Sequence, residues 1–170
     1  MYKNMLNTLV VATLALSAVV GEAHAQTTRN TKVKGDAQVE RGRYLVQITG
    51  CNDCHTAGYA MSGGKVPESQ WLTGDSLGWR GPWGTTYPVN LRLYMRDLTE
   101  AAWVQRAKTV QTRPPMPWFN LHDMTEQDLK AIYRYVTALG PAGSHAPIFV
   151  PPGKEPNTPY VQFPAPPKAP

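Results

Sequence analysis

The sequence predicts a mostly helical domain, and three observations carry that reading. Thr125-Glu126-Gln127-Asp128 resembles a capping box, and Leu129, Ile132, Tyr133 and Val136 follow at the i, i+3, i+4, i+7 spacing of one apolar helix face. Two earlier segments open on good N-cap residues, Asp36 and Thr99. No strand-rich region and no internal repeat is evident along the 170 residues.

Taken in order, the N-terminus reads as a secretory signal peptide over residues 1–25. Lys3 gives a short positive start, Met5 to Val20 is mostly apolar, and Ala23-His24-Ala25 is an A-x-A cleavage site. An uncleaved anchor is the competing reading, but the apolar run falls short of the roughly 20 residues a membrane span needs and ends in Gly21-Glu22. No cysteine near the cleavage site offers a lipid attachment point, and no second long apolar run follows, so no integral span is expected after cleavage. Residues 26–35 are polar and aperiodic, a flexible leader.

The first helix is placed from Asp36 to about Thr49, with Val39, Tyr44, Leu45 and Ile48 as its apolar positions and Gly50 as its end. Gly42 lowers helix propensity, and its small size would let a crossing helix pack closely. Ala57 to Pro88 is rich in glycine and carries Trp71, Trp79 and Trp83. Linkers rarely hold that many tryptophans, so an ordered loop against something apolar is expected there. A second helix follows Thr99 and runs to about Lys108, after which Pro114, Pro115 and Pro117 break regular structure. The last helix reaches Leu139 and stops at Gly140-Pro141. Residues 141–170 hold ten of the sixteen prolines and read as an extended tail, leaving 36–140 as the domain.

Between the first helix and the Trp-rich loop stands Cys51-Asn52-Asp53-Cys54-His55, the C-x-x-C-H pattern of covalent haem attachment. Two thiols at this spacing can add to the two vinyl groups of one porphyrin, and the next histidine can reach the iron from the same side. A thioredoxin-like redox pair would want a βαβ setting that is not visible here. A zinc site needs about four ligands, which two cysteines and scattered histidines supply poorly. A disulfide across two intervening residues would be strained and would leave His55 without a purpose. The chain has no other cysteine, so one haem c, held through Cys51 and Cys54, is the ceiling. Covalent haem attachment in bacteria takes place outside the cytoplasmic membrane, so the signal peptide and the motif agree on a periplasmic location. The formal charge of +5 could point to nucleic acid, but an exported chain with no basic run has little use for it. Docking to an acidic redox partner accounts for the charge better.

His55 fills one face of the iron, and methionines and histidines compete for the other. Met116 lies in Arg113-Pro114-Pro115-Met116-Pro117-Trp118, where flanking prolines lower the entropic cost of holding a weak thioether ligand. Met124 precedes the N-cap Thr125 and is accounted for as a hydrophobic staple on Leu129. Met61 follows His55 too closely to cross the haem edge easily, and Met95 reads as core. His122 is the serious histidine rival, because His145 belongs to the tail and His24 to the signal. Met116 is favoured, with Met124, His122 and an open sixth position remaining as alternatives.

A helix, then C-x-x-C-H, a P-x-M-P loop and a closing amphipathic helix resemble the class I cytochrome c family. Gly-Pro-Trp-Gly-Thr at 81–85, Asn90-Leu91 and Pro-Pro-Met-Pro-Trp at 114–118 resemble a single-haem bacterial branch. The resemblance covers about Asp36 to Leu139, and the Trp-rich loop and proline-rich tail depart from it. It implies an all-α class I cytochrome c fold around one haem, with His55 and Met116 as the axial, metal-binding residues. It also implies that Gly42 meets an aromatic of the last helix, Tyr133 being the nearest choice.

A six-coordinate His/Met iron leaves no place for substrate, and thioether ligation raises the reduction potential. The expected function is therefore one-electron transfer, not catalysis. Trp83, Tyr87, Arg80, Arg92 and Trp118 are candidate partners of the haem propionates, although core packing for the aromatics and a solvated face for the arginines explain each of them as well. The first reading is a soluble carrier between a periplasmic dehydrogenase and a terminal oxidase or another cytochrome. The alternative is a cytochrome c subunit docked to a periplasmic dehydrogenase, with the long loop and tail as its binding surface. A haem enzyme or gas sensor with an open sixth site comes third.

Overall fold

A computed structural model describes the backbone of residues 25–164 and the side chains of residues 37–164. The signal-peptide reading of the N-terminus thus falls almost wholly outside the described residues. The first helix, α1, spans Ala25–Ile48. It continues back through the stretch read as a leader, so Asp36 lies inside the helix and does not cap it. Gly50 then adopts a left-handed φ of 73° and turns the chain into a short helix, α2, over Cys51–His55.

Four more α-helices follow among the described residues. Two are short: α3, Leu91–Arg96, and α5, Trp118–Asp123. The longer two, α4 at Glu100–Thr109 and α6 at Glu126–Leu139, start where their caps place them. Thr99 Oγ1 accepts from the Ala102 amide at 3.2 Å, and Thr125 Oγ1 accepts from the Asp128 amide at 3.1 Å. Each satisfies one of the free N–H groups of a first helical turn.

α6 is the hub of the core. Leu129, Ala131, Ile132, Tyr135 and Val136 are buried on it, against Leu45 and Val46 of α1, Met95 of α3 and Trp103, Val104 and Ala107 of α4. Gly42 sets the α1–α6 crossing. A Cβ on Gly42 would lie 2.0 Å from the Ala131 carbonyl oxygen and 2.7 Å from Tyr135 Cβ. The aromatic it meets is therefore Tyr135; Tyr133 instead sends its hydroxyl to the Leu98 carbonyl at 2.7 Å. Glu68 ties the same corner together, accepting from Arg43 Nε at 3.0 Å and from the Tyr135 hydroxyl at 2.7 Å.

The architecture is not purely α. Residues 78–86 form a hairpin, β1 at Gly78–Gly81 and β2 at Gly84–Thr86, in which Trp79 pairs with Thr86 and Gly81 with Gly84. The tail supplies β3, Tyr160–Gln162, parallel to β1, so the sheet order is β2-β1-β3. The Trp-rich loop and the tail, which the sequence left irregular, thus hold each other. Among the described residues, no helix is long and apolar enough to cross a membrane.

Candidate functional site

A cavity of about 910 Å³ opens beside α2, within the size range of cofactor pockets. Cys51, Cys54 and His55 line it from α2, Met116 from the proline loop, and Val46, Ile132, Leu121 and Trp103 from the surrounding helices. All four residues singled out from the sequence are therefore brought to one predominantly apolar space.

His55 is 9% exposed. Its Nδ1 lies 2.7 Å from the Val89 carbonyl oxygen. A carbonyl can only accept, so Nδ1 carries the proton and Nε2 keeps its lone pair, the form in which imidazole ligates a metal. Burial lowers the pKa of His55 below the ordinary histidine value, outweighing the opposing effect of the Val89 hydrogen bond. The ring is thus held neutral and oriented by the segment that enters α3.

Both thiols are free. Burial raises the pKa of Cys51, and the Cys51 Sγ lies 3.4 Å from Thr49 Oγ1. That hydroxyl donates to the Leu45 carbonyl at 2.8 Å, so it accepts from the thiol. Burial also raises the pKa of Cys54, with the Asp53 carboxylate adding to the effect. A redox-active C-x-x-C pair needs the opposite shift, toward thiolate. Among the described residues, no cluster of three or more His, Cys, Asp or Glu side chains is arranged to hold a metal ion.

Around the motif, the Trp-rich loop is pinned back to α2. The Gly74 amide donates to the His55 carbonyl at 2.8 Å, and the Leu72 amide donates to Thr56 Oγ1 at 2.8 Å. Trp71 is buried in the core, Trp79 lines the cavity, and Trp83 packs edge-on against Phe163 of the tail at 5.3 Å between ring centroids.

The rivals for the second axial position separate in part. Met61 is 92% exposed, and Met95 is fully buried in the core as well as touching the cavity. His122 does not line the cavity; its Nε2 bonds the Val110 carbonyl at 2.9 Å and its ring packs on Trp118. Met124 ends α5, packs on the core and also reaches the cavity. Among the described residues, Met116 and Met124 are therefore the methionines outside the core that reach this space.

The polar partners differ from those the sequence offered. Arg92 is buried and donates to the carbonyls of Gly140 and Leu139, both at 2.5 Å, and of Ser69 at 2.7 Å. It closes the C-terminus of α6. Arg80 pairs with Glu155 of the tail at 2.5 Å. Trp83 and Trp118 do not line the cavity, whereas Tyr87 does, with its hydroxyl 2.7 Å from Thr158 Oγ1. The cations that line the cavity among the described residues are Arg106, which no motif marks in the sequence, and Arg113, which opens the proline loop. Arg106 Nε donates to the Tyr94 hydroxyl at 3.1 Å, and the Arg113 guanidinium stacks 3.9 Å above the Phe149 ring.

The donor set fits a c-type haem: two free thiols, a neutral imidazole with its outer nitrogen available, thioethers and guanidinium groups border one apolar cavity. Comparison with known proteins points the same way. The chain is 30% identical over 145 residues to proteins named as the cytochrome c subunit of alcohol dehydrogenase (quinone) from Gluconacetobacter polyoxogenes and from Komagataeibacter europaeus. In each case 77% of this chain is aligned, and it spans 28% of the length of the relative. This similarity supports a cytochrome c, with haem c as the implied cofactor and electron transfer as the implied role. No family model matches the chain, and no solved structure matches it.

Proposed function

We propose that this chain is a periplasmic cytochrome carrying one haem c on Cys51 and Cys54, with His55 and Met116 as axial ligands, and that it receives electrons from a dehydrogenase to which it docks as a subunit. The observation that carries the reading is the meeting of Cys51, Cys54, His55 and Met116 at one apolar cavity. The relatives' printed role in a quinone alcohol dehydrogenase favours the docked subunit over the freely diffusing carrier.

Haem c supplies one-electron exchange at its iron. The chain's residues set the conditions for that exchange. Val89 holds the His55 ring in one tautomer, and the thioether of Met116, as ligand to a bound haem, would favour the reduced state over what a second imidazole would give. Val46, Ile132 and Trp103 exclude water, which limits reorganisation around the changing charge. Arg106, at the cavity wall and already oriented by Tyr94, is the cation suited to a propionate.

The haem-loaded protein, reduced and mixed with carbon monoxide, tests the electron-transfer reading. Slow binding limited by loss of the Met116 ligand is expected. Immediate binding would favour an enzyme or sensor with an open sixth site. The dehydrogenase partnership is tested by purifying the tagged chain from its host and adding dehydrogenase substrates. Substrate-dependent haem reduction in a larger assembly supports the subunit reading; a free monomer with no such reduction supports the soluble carrier.

A further inference from the structure

The tail has no periodicity to give it a role, yet part of it lines the cavity. Its start is pinned by Asn90 Nδ2, which donates to the Ala142 and Ser144 carbonyls at 2.8 and 3.1 Å. Pro147, Ile148 and Phe149 then line the cavity. The next residue pairs reciprocally with β2: the Thr85 amide donates to the Val150 carbonyl at 2.8 Å, and the Val150 amide donates to the Thr85 carbonyl at 3.0 Å. Gly84 is the seat. Its φ is 98°, and a Cβ there would lie 2.4 Å from the Val150 carbonyl oxygen and 2.9 Å from Phe149 Cε2.

The Phe149 ring also carries the Arg113 guanidinium at 3.9 Å. Arg113 opens Arg113-Pro114-Pro115-Met116, and the Pro114 carbonyl accepts from Thr86 Oγ1 at 2.8 Å. The loop bearing Met116 therefore has two anchors, one on the strap and one on β2, and both return to the same hairpin. Two prolines separate Arg113 from Met116, so a constraint at Arg113 is transmitted with little slack.

We propose that Phe149 is a positioning residue: the segment Pro147–Val150, seated on Gly84, holds the Met116 loop against the haem cavity and so sets how readily the axial thioether is displaced. The proposal rests on the assignment of Met116 as ligand. Its physical basis is that a weak ligand competes with an open state of its own loop. An anchor that orders the loop in advance lowers the population of that open state.

Imidazole titration of the haem-loaded, full-length protein, followed by absorption, reads that population directly, because its apparent affinity scales with the fraction of molecules in which the iron is free to take it. Phe149→Ala should bind imidazole about tenfold more tightly than wild type. Phe149→Leu keeps most of the packing but loses the ring face, and should bind about threefold more tightly. Phe149→Tyr keeps the ring face and should match wild type, which separates positioning from general loss of stability. The band from iron to methionine sulfur should weaken in the same order.

Wild-type imidazole affinity in both Phe149→Ala and Phe149→Leu would overturn the strap. So would equal tightening in the Leu and Tyr variants, since that follows stability and not the ring face. If Phe149→Ala does not fold, the Leu and Tyr pair decides. A wild-type protein with no Met116-dependent sulfur band removes the underlying ligand assignment instead, an outcome distinct from a normal band that Phe149 substitutions leave unmoved.

Discussion

Met116 and Met124 both reach the cavity, from different surroundings. Met124 closes α5 against the core, and its carbonyl accepts from Lys108 Nζ. Met116 sits on a loop whose order comes from outside contacts. Met116→Ala should abolish the iron–sulfur band, admit exogenous ligands and lower the potential on the order of 0.1–0.2 V within the roughly 0.8 V that axial ligation commands. Met124→Ala should leave the spectrum intact and reduce stability by about 2 kcal/mol. A spectrum altered by Met124→Ala alone would transfer the ligand role to that residue. Cys54→Ala should give little mature protein and at most one thioether link, read by how much haem stays with the chain after denaturing extraction; normal retention would contradict two-point attachment. That Cys51, Cys54, His55 and Met116 meet at one cavity could be anticipated, because C-x-x-C-H has a fixed spacing and prolines flank Met116. Arg106 could not be, because it lies on an ordinary polar turn of α4. Arg92 was misread because its sequence neighbours give no hint that it caps α6, a helix distant in the chain.

At the scale of elements, the α1–α6 crossing is the frame that places Cys51 at the cavity wall. Gly42→Ala puts a methyl group into the Ala131 backbone and should destabilise the fold by about 3 kcal/mol, measured by chemical unfolding. A loss below about 1 kcal/mol would show that the helices can part without cost. The two longer C-terminal helices, α4 and α6, could be read from the sequence because Thr99 and Thr125 supply caps and α6 has a clear apolar face. α3 and α5, each six residues long, are too short for periodicity to show and rest on tertiary contacts. The strands escaped for a related reason: Gly-Trp-Arg-Gly and Gly-Thr-Thr carry no alternating pattern, and β3 exists only because the distant hairpin offers it an edge. Leader residues 26–35 lack an apolar face of their own, so nothing in them announces that α1 passes through.

For the whole molecule, the loop and tail that depart from the class I cytochrome c resemblance are one structure. β3 on β1, Arg80 on Glu155, Trp83 on Phe163 and Val150 on Thr85 join them beside the cavity. Their composition indicated order for the loop and extension for the tail, but pairing between segments about 80 residues apart leaves no local signature. Covalent haem with His55/Met116 ligation is the claim on which the proposed electron-transfer role depends. The measurement that tests it most directly is the oxidised and reduced absorption spectrum of periplasmically expressed wild type and Met116→Ala, taken before and after denaturing extraction. Haem should stay with the chain in both, and a long-wavelength iron–sulfur band should appear in oxidised wild type and be missing from Met116→Ala. Haem lost on extraction, or a wild-type spectrum without that band, would contradict it.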